Sequence, residues 1–189
     1  MLLLVRHGRT DANAQGLLLG RADPPLSAEG RAQAAALATR IPEGARVVCS
    51  PLRRARETAD AFGAPYEVDE RWIELDYGEL DELPLGDIPA EVWADWRSDP
   101  AFVPPGGESL VALGIRVRDA CTELVDEVRD HDVAVVTHVS PIKAAIAWAI
   151  GAGDELSWRL HVEVASIARI AVDRWGASLR SFNERVELT

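Results

Sequence analysis

The sequence predicts an α/β fold in which short apolar strands lie parallel in one sheet and alternate with helices. Three uninterrupted apolar runs, Leu2-Leu3-Leu4-Val5, Val47-Val48-Cys49 and Val133-Ala134-Val135-Val136, read as strands buried on both faces. Between them, apolar residues recur every three or four positions, the spacing of helices with one face on a core. Each run also gives way at its carboxyl end to residues able to do chemistry: Arg6-His7-Gly8, Ser50 to Arg54, and His138. Ligands of open α/β sheets bind in the crevice outside the carboxyl ends of the strands. Parallel strands would therefore bring two imidazoles and at least two guanidiniums to one edge.

The elements follow in order. Leu2 to Val5 is the first strand, and Asp11 to Pro25 reads as a loop containing Gly16, Gly20 and Pro24-Pro25. Ser27 is the N-cap of a helix with Glu29 in its first turn, where the helix dipole favours an acid. Gly30, Ala34, Leu37, Ala38 and Ile41 make its apolar stripe, and Pro42 and Gly44 end it. After the second strand, Ser50 is expected to cap a helix whose first position is Pro51. Tyr66 to Val68 is a short strand. Glu70 to Asp81 then sets Glu74, Asp76, Glu79 and Asp81 among Trp72, Ile73, Leu75 and Tyr77.

Leu83 to Gly107, rich in Pro, Trp and acid, reads as an irregular lid-like insertion with a short helix near Glu91 to Trp96. Connections of that length are usually functional. The longest helix is expected from Ser109 to about Asp130. The third strand ends in Thr137-His138, and an Ala-rich buried helix, Ile142 to Ile150, stops at Gly151 and Gly153. A short helix near Asp154 to Trp158 and a hairpin of Ser166 to Val172 with Ala177 to Phe182 close the chain. No repeat or linker divides it, so residues 1–189 are read as one domain.

Composition bounds the function. The chain is 48% hydrophobic and 27% charged, with no apolar run of membrane-spanning length. Its apolar start lacks a basic flank and ends at Arg6, which argues against a signal peptide. Cys49 and Cys121 have no metal-ligand spacing, which suggests a reduced, cytoplasmic protein. A net charge of −11 argues against nucleic acid and anionic membranes as partners. It leaves room for a small anionic ligand, because a local arginine cluster can oppose the global field. The expected partner is a small-molecule phosphate ester. The chain is read as a monomer or a homodimer, the latter through an edge strand of the final hairpin.

The chemistry that wants two imidazoles and two guanidiniums is phosphoryl transfer. Arginines neutralise and orient the non-bridging oxygens and stabilise charge that builds during the reaction. An imidazole, neutral at one nitrogen and held by an acceptor at the other, can attack phosphorus. The leaving alkoxide then needs a proton. Glu74, between Ile73 and Leu75, sits in a run that would press it towards the core, where desolvation keeps a carboxyl protonated near neutrality.

These residues carry a resemblance. Arg6-His7-Gly8-Arg9-Thr10 with Asn13 resembles the signature of the histidine phosphatase superfamily, the phosphoglycerate-mutase-like proteins. Ser50-Pro51-Leu52-Arg53-Arg54-Ala55 with Thr58 is similar to its second motif, Glu74-Leu75-Asp76-Tyr77-Gly78 to its acid motif, and Thr137-His138 to its second histidine. The Gly20, Asp23, Leu26-Ser27 loop also matches in spacing, so the likeness covers nearly the whole chain. The resemblance implies a three-layer α/β/α sandwich with a mostly parallel central sheet, and no metal or other cofactor. It implies His7 as nucleophile, Glu74 as proton donor, and Arg6, Arg54 and His138 as catalytic phosphate ligands. It adds Asn13 as a phosphate contact and Gly20 as a substrate-loop position.

The sequence departs from the family's pattern at two places. Arg9 stands where the family usually has Glu or Gln, and is read as solvated. Val139-Ser140-Pro141 replaces the glycines that commonly follow the second histidine, leaving the Val139 N–H as a candidate phosphate contact. The chain lacks the long middle insertion of cofactor-dependent mutases, which favours a phosphatase. Mutase-type transfer and a non-catalytic phospho-ligand module remain as alternatives. A metal-dependent phosphatase would need clustered ligands that the sequence does not offer. His131 reads as a solvated turn residue, His161 as a surface or core-edge histidine, and Arg53 and Arg56 as surface residues. Trp72, Trp93 and Trp96 are candidates either for a substrate pocket or for core packing.

Overall fold

The computed structural model describes residues 1–186. Six strands form one sheet: β1 (Leu2–Arg6), β2 (Arg46–Cys49), β3 (Tyr66–Val68), β4 (Val133–Thr137), β5 (Ser166–Asp173) and β6 (Gly176–Arg185), in the order β3-β2-β4-β1-β5-β6. Strands β1 to β4 are mutually parallel, and β5 and β6 add antiparallel at the far side. The helices are α1 (Asp11–Ala14), α2 (Ala28–Ala38), α3 (Arg53–Asp60), α4 (Ala90–Ser98), α5 (Leu110–Glu123), α6 (Val125–Asp130) and α7 (Val139–Ile150). Short 3₁₀ turns stand at Glu70–Trp72, Gly78–Leu80 and Asp154–Arg159.

Alternation along β1 assigns the layers. Leu2 and Leu4 pack with Leu113, Val117, Ile142 and Ile146 of α5 and α7. Leu3 and Val5 pack with Leu37, Ala55 and Ala59 of α2 and α3. All four β1 residues are at most 1% exposed, and each contributes roughly 1.5–3 kcal/mol by burial. The result is the α/β/α sandwich that the apolar runs and the resemblance led us to expect. Among the described residues, no helix is long and apolar enough to cross a membrane.

Three elements differ from the sequence reading. The stretch after Thr10 is not all loop: Thr10 and Asn13 cap each other across the single turn of α1. Ser50 does not cap the next helix, which starts two residues later than expected, at Arg53, behind Leu52, because the Ser50 hydroxyl is taken by His138. The long helix breaks at Leu124, whose N–H reaches back to Cys121 in a tightened turn. The chain is thereby redirected and Val128 of α6 is buried in the core. By contrast, Ser27 caps α2 through the Gly30 N–H at 3.0 Å, and Gly151 ends α7 in the left-handed conformation.

Close backbone approach sets the start of the β1–α2 connection. A Cβ at Gly8 would stand 2.3 Å from the Gly30 carbonyl oxygen, and one at Gly30 would stand 2.0 Å from that of Arg9. Only two glycines let α2 lie against the end of β1.

Candidate active site

The carboxyl ends of β1, β2 and β4 are adjacent, and the polar residues that follow them converge. The His7 N–H donates to the Thr137 carbonyl (3.1 Å) and the Ser50 N–H to the Val136 carbonyl (2.9 Å), which extends the sheet register into the site. The His7 and His138 rings lie 5.1 Å apart between centroids. Arg54, fully buried on the first turn of α3, directs its Nε–H to His7 Nε2 at 3.3 Å.

His7 is fixed at its other nitrogen. Nδ1 lies 2.7 Å from the Gly8 carbonyl, so Nδ1 carries the hydrogen and Nε2 keeps a lone pair that accepts from Arg54. Burial, and then the charges of Arg54 and Arg6, hold its pKa well below the usual imidazole value. The Gly8 N–H donates to Thr58 Oγ1 (3.1 Å), whose hydroxyl donates to the Arg54 carbonyl (2.7 Å). One threonine thus ties the turn after β1 to α3.

Arg54 is held on three sides. Besides His7, its guanidinium donates to the carbonyls of Gly20 and Ala22, both at 2.7 Å. That loop is gripped in turn by Asp81, whose two carboxylate oxygens accept from the N–H groups of Gly20 (2.7 Å) and Ala22 (2.8 Å). Desolvation lowers the pKa of Arg54, opposed chiefly by the charge of Glu74. Arg6 donates to the Val162 carbonyl (2.6 Å), while its Nε is buried without a partner. Burial pushes its pKa down to about 10, so it remains a cation at neutral pH.

His138 is fully buried, with Nε2 2.6 Å from Ser50 Oγ and Nδ1 without a partner. Desolvation first, then Arg54, His7 and Arg6, hold it well below its usual pKa. Glu74 is 3% exposed and completes the group. Its carboxylate accepts from the N–H groups of Leu75 (2.7 Å), Val139 (3.0 Å) and Ser140 (3.1 Å), which places the acid beside the start of α7 and next to His138. Behind it, Arg116 of α5 donates to the carbonyls of Arg71, Ile73 and Glu74 and pairs with Glu108.

The structure therefore gathers Arg6, His7, Arg54, Glu74 and His138. Gly20 stands one bond from the cluster, through its carbonyl on Arg54. Asn13 Oδ1 accepts from the Thr10 N–H, so only its amide NH₂ is left for a ligand. The Val139 N–H is engaged by Glu74, a partner the sequence did not suggest. Asp76 turns to the Gly78 N–H instead. Arg9 pairs with Glu29, Arg53 with Glu57, and His161 with Glu163 on the surface. Trp72 is core, whereas Trp93 and Trp96 line a cavity. The sequence reads Ser50 as a helix cap and Asp81 as one of four acids in its segment, and does not single out Arg116. Each acts through a bond to a distant segment, and only the motif position of Ser50 hinted at a part in the site.

Comparison with known proteins identifies the family. A model of the histidine phosphatase superfamily (branch 1) matches residues 2–185. The chain is 31% identical to the adenosylcobalamin/alpha-ribazole phosphatase of Escherichia coli K12, covering 97% of this chain and 96% of that protein. It is 34% identical to a bifunctional protein of Mycobacterium tuberculosis over 88% of this chain and 49% of that one. It thus spans about half the length of this protein and of two further relatives from Mycobacterium bovis and Mycobacterium tuberculosis matched at the same identity. Among solved structures, mycobacterial glucosyl-3-phosphoglycerate phosphatase in complex with VO3 superposes with a TM-score of 0.85 at 31% identity, covering 97% of this chain and 98% of that chain. On its sequence match from the first strand to the last, and on its three-layer architecture, the chain belongs to the histidine phosphatase superfamily.

Proposed function

We propose that this chain hydrolyses phosphomonoesters of small metabolites through a phosphohistidine formed on His7. The observation that carries the reading is the state of His7: a buried imidazole whose Nε2 lone pair is unprotonated, between Arg54 and the ring of His138. Around it, Arg6 Nε and His138 Nδ1 are buried donors without partners. A phosphoryl group satisfies both and is neutralised by the two guanidiniums. The activities of the relatives, alpha-ribazole phosphatase and glucosyl-3-phosphoglycerate phosphatase, support the class.

In the first step the Nε2 lone pair of His7 attacks phosphorus in line, the N–P bond forms and the ester P–O bond breaks. Glu74 gives its proton to the departing alkoxide. Arg6, Arg54 and His138, with the amide of Asn13, hold the non-bridging oxygens, and the Gly20 loop fixes Arg54. A water then loses a proton to Glu74 and attacks phosphorus. The N–P bond breaks, and phosphate and the neutral imidazole are restored. The 83–107 segment closes the leaving-group side as a lid. The reaction uses no metal, so EDTA leaves the rate unchanged. A cytoplasmic setting fits two cysteines that are both buried and unpaired.

Rapid acid quench with labelled substrate tests the mechanism. Label is expected on His7 in the wild type and absent, with turnover, in His7→Ala. In Glu74→Gln, labelling slows far more for alkyl phosphates than for p-nitrophenyl phosphate, whose leaving group needs no proton. Hydrolysis without labelled enzyme would overturn the covalent step, and equal slowing for both esters would remove Glu74 as the acid.

A further inference from the structure

Glu74 stands on backbone that no helix or strand registers. The 3₁₀ turn before it ends at Trp72, Ile73 is extended, and residues 73–77 belong to no regular element. Among the described residues, the four carbonyls from Arg71 to Glu74 are taken by side chains instead. Thr137 Oγ1, at the end of β4, donates to that of Trp72 at 2.5 Å. Arg116 donates to the other three, those of Arg71 (2.6 Å), Ile73 (2.8 Å) and Glu74 (3.3 Å).

A guanidinium carries five N–H groups in one rigid plane. Arg116 uses all five: three on those carbonyls and two as a fork on Glu108, at 2.8 and 2.9 Å. Glu108 is anchored in turn. Its N–H donates at 2.8 Å to the carbonyl of Asp76, two residues beyond the acid. Its carboxylate also faces Arg21, in the loop that brackets Arg54, at 3.5 Å. Burial alone would raise the pKa of Glu108, but Arg116 and then Arg21 hold it below the usual carboxylate value, so the fork keeps a charged partner. The acid is thus clasped from both sides, residues 71–74 through Arg116 and residue 76 through Glu108. Arg116 has no N–H left for a ligand. It holds Glu74 by the main chain and leaves the carboxylate to Leu75, Val139 and Ser140. Its effect on the reaction is therefore one of placement.

Placement matters for a general acid. It must come within ~2.6–3.2 Å of the oxygen it protonates, and an error of about 1 Å can cost on the order of a hundredfold in rate. We propose that Arg116, locked by Glu108, is the positioning residue of the acid: it sets the reach of Glu74 towards the leaving oxygen, so that turnover of esters with poor leaving groups depends on it. The proposal rests on the phosphatase reading above, with Glu74 as proton donor.

The test is the ratio of kcat/KM for an alkyl ester, glycerol 2-phosphate, to that for p-nitrophenyl phosphate, whose leaving group needs no proton. Loss of folded enzyme lowers both rates alike, so a merely structural role leaves the ratio where it was. Arg116→Lys keeps the charge but cannot span three carbonyls and a carboxylate with a planar fork. The ratio is expected to fall roughly ten- to a hundredfold. Glu108→Gln offers the fork one acceptor in place of two and is expected to lower the ratio by a smaller factor. In the double variant Glu74→Gln, Arg116→Lys the ratio should equal that of Glu74→Gln alone, because no acid remains to be placed. A ratio unmoved by Arg116→Lys, or a further fall in the double variant, would overturn the proposal. Should Arg116→Lys not fold, Glu108→Gln decides in the same way. The parent reading is tested separately by Glu74→Gln. If that variant leaves the ratio unchanged, the acid assignment fails and this inference with it. If it lowers the ratio and Arg116→Lys does not, only this inference fails.

Discussion

Ser50 shows how much one hydroxyl can decide. Its Oγ lies 2.6 Å from His138 Nε2 and also receives the Leu52 N–H at 3.4 Å. The Ser50 hydroxyl has no other acceptor among the described residues, so its O–H hydrogen is directed at Nε2. The ring hydrogen of His138 is then on Nδ1, the nitrogen without a partner, where it can donate to a phosphate oxygen. Ser50→Ala removes the device that holds this tautomer. We expect kcat/KM to fall about tenfold, the scale of one hydrogen bond, with Ser50→Thr recovering most of it. Nitrogen NMR of the His138 ring checks the cause: one Nδ1–H tautomer in the wild type and a mixture in Ser50→Ala.

At the scale of elements, the loop between α1 and α2 acts as a bracket. Asp81 holds the N–H groups of Gly20 and Ala22, and the carbonyls of the same two residues hold Arg54. Asp81→Ala frees the bracket without touching the ligand. KM for p-nitrophenyl phosphate is expected to rise about tenfold, with the melting temperature lowered by only a few degrees. Steady-state kinetics and a thermal scan measure both. This bracket also marks where the sequence stopped being legible. The strands could be read because burial on both faces leaves an uninterrupted apolar run, and His7, Arg54 and His138 because each follows such a run. Glu74 was found through its place in a motif. Asp81 stood only as one of four acids in its segment, since its partners lie in a loop whose path no local pattern encodes. Ser50 was misread for the opposite reason. A serine before a proline satisfies the local rule for a cap, and a tertiary partner overrode it. The break at Leu124 was equally hidden, because apolar periodicity runs through it unchanged.

For the whole molecule, the two buried imidazoles link stability to pH. Both are neutral in the fold, with pKa values held well below the ordinary value. The unfolded chain protonates both near pH 6.5. As pH falls below that, the unfolded state binds protons the native state does not, so stability is full above about pH 6.5 and declines below it. Stability is therefore expected to fall between pH 7.5 and 5.5 through both histidines. Denaturant titrations at those two pH values measure it. The double variant His7→Asn, His138→Asn is expected to lose that part of the dependence and keep the part due to carboxylates.

The position of β1 in the middle of the sheet governs the order in which the molecule can be made. This strand is made before both of its sheet neighbours, which begin at Val133 and Ser166. A nascent chain therefore carries Leu2–Arg6 with both edges open until Val133–Thr137 has followed, a bare apolar segment of the sort that chaperones bind and that seeds misassembly. A chain stalled before Val133 already contains His7, Arg54 and Glu74, but it lacks β4, the strand that joins β1 to β2.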